Sequence, residues 1–216
     1  MIERINQLIL LSFVFFFAKV AHPGEVHAAK NLLSKNQSVI LVLGDSLAAG
    51  YGVAKEDSYP AQLEKLLHQR GHSAMVKNPS ISGSTTASAL SRLKWQLKSH
   101  VDILLLELGG NDGLRGLAIS ATKKNLEQTI RLAKEQNIKI LLAGMKLPAN
   151  YGSQYRSQFS TMFAELAKEN KIEWIPFLLE KVGGKKRFNL EDGIHPNEEG
   201  HHQIAKNLLP FVEKLL

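Results

Sequence analysis

The sequence contains no cysteine among its 216 residues. This absence excludes thiol nucleophiles, disulfide frameworks and cysteine-ligated zinc. At this length a folded chain buries about 70% of the surface that its unfolded form exposes, so a core can form without bridges or structural metal. The composition, with 44% hydrophobic and 22% charged residues, is that of an ordinary globular protein.

Three glycine-containing motifs of known chemistry are also missing. Neither Gly-x-Gly-x-x-Gly nor a Gly-Lys-Ser/Thr loop occurs, so the sequence shows no sign of a nucleotide phosphate site. The Gly-x-Ser-x-Gly elbow is absent as well, and the α/β-hydrolase fold is therefore not supported.

The positive charge is modest and is not arranged for nucleic acid. The net charge is +7, and the densest basic run, at residues 185–187, lacks the interleaved aromatic residues of a nucleic-acid reader. We interpret that run as a solvated loop and expect no nucleic-acid partner. The excess charge favours encounter with anionic lipids or acyl carriers, but a soluble basic surface explains it equally well.

The first 28 residues differ from the rest of the chain. Arg4 precedes an apolar run from Leu8 to Ala18, and a more polar stretch then ends in the small residues Ala28 and Ala29. This order is typical of an export signal, which we expect to be removed after Ala28. The run is much shorter than the roughly 20 residues of a membrane span, so a stable membrane anchor is the weaker interpretation. The sequence therefore predicts an exported, periplasmic or secreted protein whose residues 29–216 form a single domain.

Short apolar segments alternate with longer segments of helical periodicity from residue 38 onwards. Apolar residues at a spacing of three to four predict amphipathic helices around Leu63, Leu93, Ile130, Phe163 and Leu208. This alternation predicts an α/β fold with three layers, in which helices cover both faces of a doubly wound, five-stranded parallel sheet as in flavodoxin. Ligands bind outside the carboxyl ends of the strands in such sheets. The predicted strands are Ser38–Leu43, Ala74–Lys77, Ile103–Leu108, Lys139–Ala143 and Glu173–Ile175.

A candidate nucleophile follows the first predicted strand. Ser46 stands in the sequence Gly44-Asp45-Ser46, where the glycine lets the backbone turn sharply. A serine at this place is also a favoured helix N-cap, and taken alone that interpretation would be preferred.

A candidate general base lies near the other end of the chain. Asp192 and His195 are three residues apart in a loop that opens the last predicted helix, at Asn197. Asp192 could accept the Nδ1 proton of His195, so that Nε2 faces a nucleophile. An isolated Asp-x-x-His is otherwise often a surface turn. The neighbouring His201 and His202 point in different directions on a helix, and we expect no metal site.

Two further loops could supply hydrogen-bond donors to a negative oxygen. Gly83 follows the second predicted strand, and its backbone N–H can approach a substrate closely. Asn111 follows the third strand, and its side-chain amide could donate from a glycine-flanked turn. Glycine and asparagine are also the usual residues of plain turns.

Taken together, these segments resemble the GDSL, or SGNH, hydrolase family. The four blocks of that family are matched by Gly44-Asp45-Ser46-Leu47, by Gly83, by Gly110-Asn111-Asp112 and by Asp192-x-x-His195. Residues 49–52, 107–116 and 147–152 are similar to a bacterial branch of acyl-CoA thioesterases, arylesterases and lysophospholipases. The resemblance covers nearly all of residues 38–210.

The resemblance implies a serine esterase that acts on carboxylic esters and thioesters without a cofactor. It implies that Ser46, His195 and Asp192 form the catalytic triad, and that Gly83 and Asn111 complete the oxyanion hole with Ser46.

The resemblance also implies the surroundings of the site. Residues bordering an acyl groove would be Leu114, Leu147, Pro148 and Tyr151, although these segments could equally be ordinary exposed connections. The branch usually has Asp-Thr after the second-block glycine, whereas this chain has Ser84-Thr85. Ser84 can still cap the following helix.

Two other functions are compatible with the same residues. One is an exported carbohydrate O-acetylesterase of the same family, which would lose activity on acyl chains beyond two to four carbons. The other is a non-catalytic, flavodoxin-like binding module, in which Asp45 is the functional acid and Ser46 is merely its neighbour.

Overall fold

Five parallel strands form one sheet in a computed structural model that describes residues 37–216. Across the sheet the strands follow the order β2-β1-β3-β4-β5. The predicted five-stranded parallel sheet is therefore confirmed. The strands are β1 (Ser38–Leu43), β2 (Ala74–Lys77), β3 (Ile103–Leu106), β4 (Lys139–Ala143) and β5 (Glu173–Ile175). The predicted signal segment, with its cleavage after Ala28, lies outside the described residues.

The third strand is two residues shorter than the sequence predicts. Leu106 is the last residue of β3 in register with its neighbours, opposite Leu43 of β1 and Leu142 of β4. Three residues later Gly109 has a φ of 119° and turns the chain into a helix. The buried segment continues beyond Leu106, the last residue of β3, because the residues of the following turn are buried as well.

The α-helices of the described chain cover both faces of this sheet. They are α1 (Ser46–Ala49), α2 (Tyr59–Gln69), α3 (Ala89–Gln96), α4 (Gly110–Leu114), α5 (Ile119–Glu135), α6 (Ser153–Asn170) and α7 (Glu198–Glu213). Helix α2 packs against α7, and α5 packs against α3 and α6. With this strand order, right-handed crossovers place α2 on one face and α3, α5 and α6 on the other. The predicted three-layer arrangement is confirmed, and the five apolar residues that indicated its helices are all fully buried.

The loop that precedes α7 is fixed at several points. Asn197 caps α7 by accepting a hydrogen bond from the N–H of Gly200 at 3.0 Å, as its position in the sequence predicts. Asn189 and Pro196 form an isolated antiparallel bridge, and the N–H of Leu190 donates to the carbonyl of His195 at 2.8 Å. The backbone around His195 is therefore held in one conformation.

Helix α7 is tied to the start of α2 by a buried histidine. The Nδ1 atom of His201 accepts a hydrogen bond from the N–H of Tyr59, the first residue of α2, at 3.1 Å. Burial lowers the pKa of His201 to about 4, so the ring is neutral near pH 7 and can serve as this acceptor.

Since parallel strands end at one edge, the loops after β1, β2 and β3 meet the loop before α7 there. No helix within residues 37–216 is both long and apolar enough to cross a membrane.

Candidate active site

The first strand delivers Ser46 to the carboxyl edge of the sheet. Gly44 and Asp45 form the turn after β1, and Ser46 is the first residue of the short helix α1. Asp45, not Ser46, is the N-cap of this helix, because its Oδ1 accepts the N–H of Leu47 at 3.0 Å. The hydroxyl of the half-buried Ser46 is consequently free of the capping role that the sequence left open.

The hydroxyl of Ser46 meets the ring of His195 although the two residues are 149 positions apart. The Nε2 atom of His195 lies 3.0 Å from the Oγ of Ser46. On the other side of the ring, Nδ1 lies 2.7 Å from the Oδ2 of Asp192. The ring of Tyr51 lies against the imidazole with the two centroids 4.4 Å apart. The structure thus brings the three residues of the predicted triad together in one chain of contacts.

The carboxylate of Asp192 is held by the loop it belongs to. Its Oδ1 accepts the backbone N–H groups of Ile194 and His195, each at 2.9 Å. The His195 N–H, followed by the contact with the imidazole, lowers the pKa of Asp192 to about 2. A carboxylate with this pKa is ionised near neutral pH, so it can hold the Nδ1 proton of His195.

Asn111 reaches the nucleophile turn from the next strand. It lies in α4, directly after β3, and its Nδ2 donates to the Oδ2 of Asp45 at 3.0 Å and to the carbonyl of Ser84 at 3.1 Å. Both amide hydrogens therefore have acceptors next to residues of the predicted oxyanion hole. The buried carboxyl of Asp45 is satisfied within the protein and does not face solvent.

Two backbone N–H groups, those of Ser46 and Gly83, are predicted to belong to the oxyanion hole. Within residues 37–216 the N–H groups of Ser46 and Gly83 have no hydrogen-bond acceptor. Gly83 has a φ of 75°, which favours glycine, and the Nη2 of Arg115 donates to its carbonyl at 3.0 Å. Arg115 thus fixes the peptide group that follows the predicted donor.

The residues predicted to border an acyl groove fall into two groups. Leu114 and Tyr151 are joined directly, because the Tyr151 hydroxyl donates to the Leu114 carbonyl at 2.9 Å. Pro148 is exposed, whereas Leu147 is buried. Leu147 packs so closely on α4 that a Cβ at Gly113 would lie 2.7 Å from its Cδ2.

Ser84 does not cap the next helix, although the sequence allowed it. The 3₁₀ turn Thr86–Ser88 has Thr85 at its N-cap position, and no side chain of that position caps it. Instead the Asp112 carboxylate accepts two hydrogen bonds from Thr86, one from its backbone N–H at 2.9 Å and one from its side-chain hydroxyl at 2.5 Å. The Asp112 carboxylate of α4 therefore caps this turn. Ser84 precedes the N-cap position by one residue.

Sequence reasoning missed Arg115 and Glu107 as residues of this site. Arg115 lies within residues 107–116, which carry part of the resemblance, but the sequence does not indicate its contact with the Gly83 carbonyl. The sequence does distinguish Glu107, because it is a carboxylate within an otherwise apolar run. The structure buries it completely beside Asp45.

The sequence pattern of the GDSL-like Lipase/Acylhydrolase family matches residues 42–203, which include every residue of this site. The chain belongs to this family. The resemblance seen in the four sequence blocks is confirmed, and the protein is a GDSL-type carboxylic ester hydrolase.

Relatives of this GDSL-type hydrolase match it over most of their length. An arylesterase of Vibrio mimicus is 37% identical over 198 residues, which cover 91% of this chain and 94% of that protein. Thioesterase 1/protease 1/lysophospholipase L1 of Escherichia coli (strain K12) is 42% identical over 178 residues, covering 80% and 84% of the two chains. A crystal structure of TesA superimposes with a TM-score of 0.80 at 38% identity, covering 83% of this chain and all of that one.

Proposed function

We propose that this hydrolase cleaves carboxylic esters and thioesters through a triad of Ser46, His195 and Asp192 and a covalent acyl-enzyme. The observation that carries the proposal is the unbroken chain of contacts from Asp192 through the imidazole to the Ser46 hydroxyl. This arrangement has the order of partners that activates a serine nucleophile.

In the first half-reaction the Oγ of Ser46 attacks the acyl carbonyl, and the Nε2 of His195 takes the hydroxyl proton. Asp192 accepts the Nδ1 proton in a hydrogen bond and stabilises the imidazolium that forms. His195 then gives its proton to the leaving alcohol or thiol, and the acyl group remains on Ser46. In the second half-reaction water takes the place of the hydroxyl, and the free acid leaves. These steps require no metal or organic cofactor.

We propose that the N–H groups of Ser46 and Gly83 and the amide of Asn111 stabilise the oxyanion. The two backbone donors have no acceptor within residues 37–216, so they are available to a substrate oxygen. The Nδ2 of Asn111 would keep its hydrogen bond to Asp45 and turn the hydrogen now accepted by the Ser84 carbonyl towards the oxyanion. The N–H groups of Ser46 and Gly83, arranged before reaction, stabilise the developing charge without reorganisation.

Replacement of Asn111 by alanine is expected to lower kcat by about 10²- to 10³-fold with a small change in KM, because the lost donor acts on the transition state. The measurement is steady-state hydrolysis of p-nitrophenyl butyrate by folded protein, whose unfolding midpoint is expected to fall because the buried Oδ2 of Asp45 loses a donor. Asn170→Ala is the matched control, since the Asn170 amide donates to the Leu166 carbonyl at the far end of α6. A kcat for Asn111→Ala within fivefold of that of the control would contradict the assignment of Asn111 to the oxyanion hole.

The substrates we propose have an apolar acyl group. Of six well-exposed large apolar side chains in the described residues, five lie in the segments that follow β1, β2 and β3 or in the loop of Asp192 and His195, and Trp95 is the exception. Clustered apolar surface of this kind marks a binding face. We propose that Leu114, Leu147, Pro148 and Tyr151 border an acyl groove there, and that the same face makes transient contact with lipid. The five exposed residues are Tyr51, Ile81, Leu114, Leu117 and Ile194.

The relatives guide the choice of leaving group. They are named arylesterase and thioesterase/lysophospholipase, so we propose aryl esters, acyl thioesters and lysophospholipids as substrate classes for this chain as well. We further propose that the protein is exported to the periplasm or medium, on the pattern of residues 1–28, and that residues 29–216 form its mature, single domain.

Two measurements test this function. An organophosphonate is expected to add once to the folded protein, at Ser46, as read by peptide mass spectrometry; absence of an adduct would favour the non-catalytic binding module. A series of p-nitrophenyl esters from two to twelve carbons, with matched thioesters, tests the substrate class. Activity that persists beyond four carbons supports the acyl groove, whereas activity confined to acetyl esters would indicate the carbohydrate O-acetylesterase.

A further inference from the structure

A completely buried carboxyl group lies directly beneath the nucleophile turn. Glu107 follows the last residue of β3, and its own N–H donates to the carbonyl of Leu43 at 2.9 Å. Its side chain has no exposed surface, and its Oε2 accepts the N–H of Asp45 at 3.2 Å. The steps of ester cleavage proposed above make no use of this group.

The turn is shaped to receive this carboxyl. A Cβ at Gly44 would lie 2.3 Å from the Oε2 of Glu107 and 2.6 Å from the Cβ of Ala48, so only glycine allows the approach. The opposite side of the turn is held as well, because the Nη2 of Arg92 donates to the carbonyl of Gly44 at 3.1 Å. The Gly44–Asp45 peptide group, one residue before Ser46, is therefore held at both its carbonyl and its N–H.

The surroundings of Glu107 favour its uncharged form. Its Oε1 has no hydrogen-bond partner within the described residues. An ionised carboxylate without a full set of partners is costly inside a protein, and burial raises the pKa of Glu107 well above its usual value, with the negative charge of Asp45 as the next cause. The neutral acid retains an oxygen lone pair for the Asp45 N–H.

We infer that Glu107 is a positioning residue, a buried acceptor that fixes the Asp45–Ser46 segment so that the Ser46 hydroxyl faces His195 and its N–H faces the oxyanion. The inference rests on the proposed function, because it assigns Glu107 a role only through Ser46. Loss of the acceptor leaves the Asp45 N–H buried and unpaired, and the turn relaxes to satisfy it. A displacement of the nucleophile by about 1 Å is enough to lower the rate about a hundredfold.

The test compares three substitutions of similar bulk. Glu107→Gln keeps a neutral acceptor, Glu107→Met removes it, and Glu107→Asp keeps the carboxyl but withdraws it by one methylene. We expect the methionine and aspartate variants to lose 10- to 100-fold in kcat on p-nitrophenyl butyrate with KM within threefold of wild type. The glutamine variant is expected to retain kcat within threefold and to keep the pH profile of the wild type, because no charge is removed.

Leu67→Ala is the matched control for core destabilisation, since Leu67 is fully buried at the end of α2 that lies away from the site. It is expected to lower the unfolding midpoint without changing kcat. Unchanged kcat in folded Glu107→Met and Glu107→Asp would overturn the inference, and so would equal losses in all three variants. If Glu107→Met does not fold, Glu107→Asp against Glu107→Gln decides. A failure of the proposed function would look different, because wild type itself would then take no phosphonate at Ser46.

Discussion

Replacement of Ser46 by alanine is expected to reduce kcat for p-nitrophenyl butyrate by at least about 10⁴-fold. The hydroxyl is the only part of the chain that the proposal allows to bond to the acyl carbon, so its loss leaves the oxyanion donors and the imidazole without a nucleophile. Fold and stability are expected to change little, because Asp45 caps α1 and, within residues 37–216, the Ser46 hydroxyl makes no hydrogen bond other than that to His195.

A matched control for this variant is Ser91→Ala. The Ser91 hydroxyl donates to the Ser88 carbonyl on the exposed side of α3 and takes no part in the site. Its kcat is expected to equal that of wild type. Ser46→Ala protein that is folded and retains more than a tenth of wild-type activity would show that another group attacks the ester.

Replacement of His195 by alanine is expected to cause a loss of about 10⁴-fold in kcat, comparable to that of Ser46→Ala, because nucleophile and base act as a unit. The phosphonate adduct at Ser46 is expected to form correspondingly slowly. His100→Ala serves as the control, since the exposed His100 pairs with Asp102 before β3, at the opposite edge of the sheet. Rapid labelling of Ser46 in His195→Ala would contradict the assignment of His195 as the base.

The pH dependence of stability follows from Asp192. The N–H of His195 and the contact with its imidazole lower the pKa of Asp192 to about 2. Since this pKa lies below the unfolded value of 3.8, the ionised carboxylate stabilises the folded state above pH 3.8, and that contribution is lost as the pH falls towards 2. The unfolding midpoint of the wild type is therefore expected to fall as the pH is lowered from 3.8 towards 2, as measured by thermal denaturation.

The architecture was predictable because its signals are local. Continuous apolar segments such as that of β1 indicate a sheet covered on both faces, and apolar residues three to four apart indicate the helices between them. Ser46 and His195 could be connected through the resemblance of four separate blocks to one family. Their approach to 3.0 Å is a property of the folded chain that neither block contains alone.

The remaining features depend on contacts between distant segments. The role of Glu107 requires the backbone of Asp45, which is 62 positions away, and the cap of the 3₁₀ turn comes from Asp112 rather than from the adjacent Ser84. Arg115 acquires its partner only when α4 approaches the Gly83 turn. Periodicity and residue type describe one segment at a time, so they carry no information about such pairings.

The wide separation of Ser46 and His195 along the chain has a consequence for biosynthesis. On the proposed mechanism, a growing polypeptide that has left the ribosome only as far as β5 already holds Ser46, yet it lacks His195 and the final helix. Such an unfinished chain is expected not to hydrolyse esters. Hydrolysis is expected to begin only once the residues after β5 have been made and have folded onto the rest.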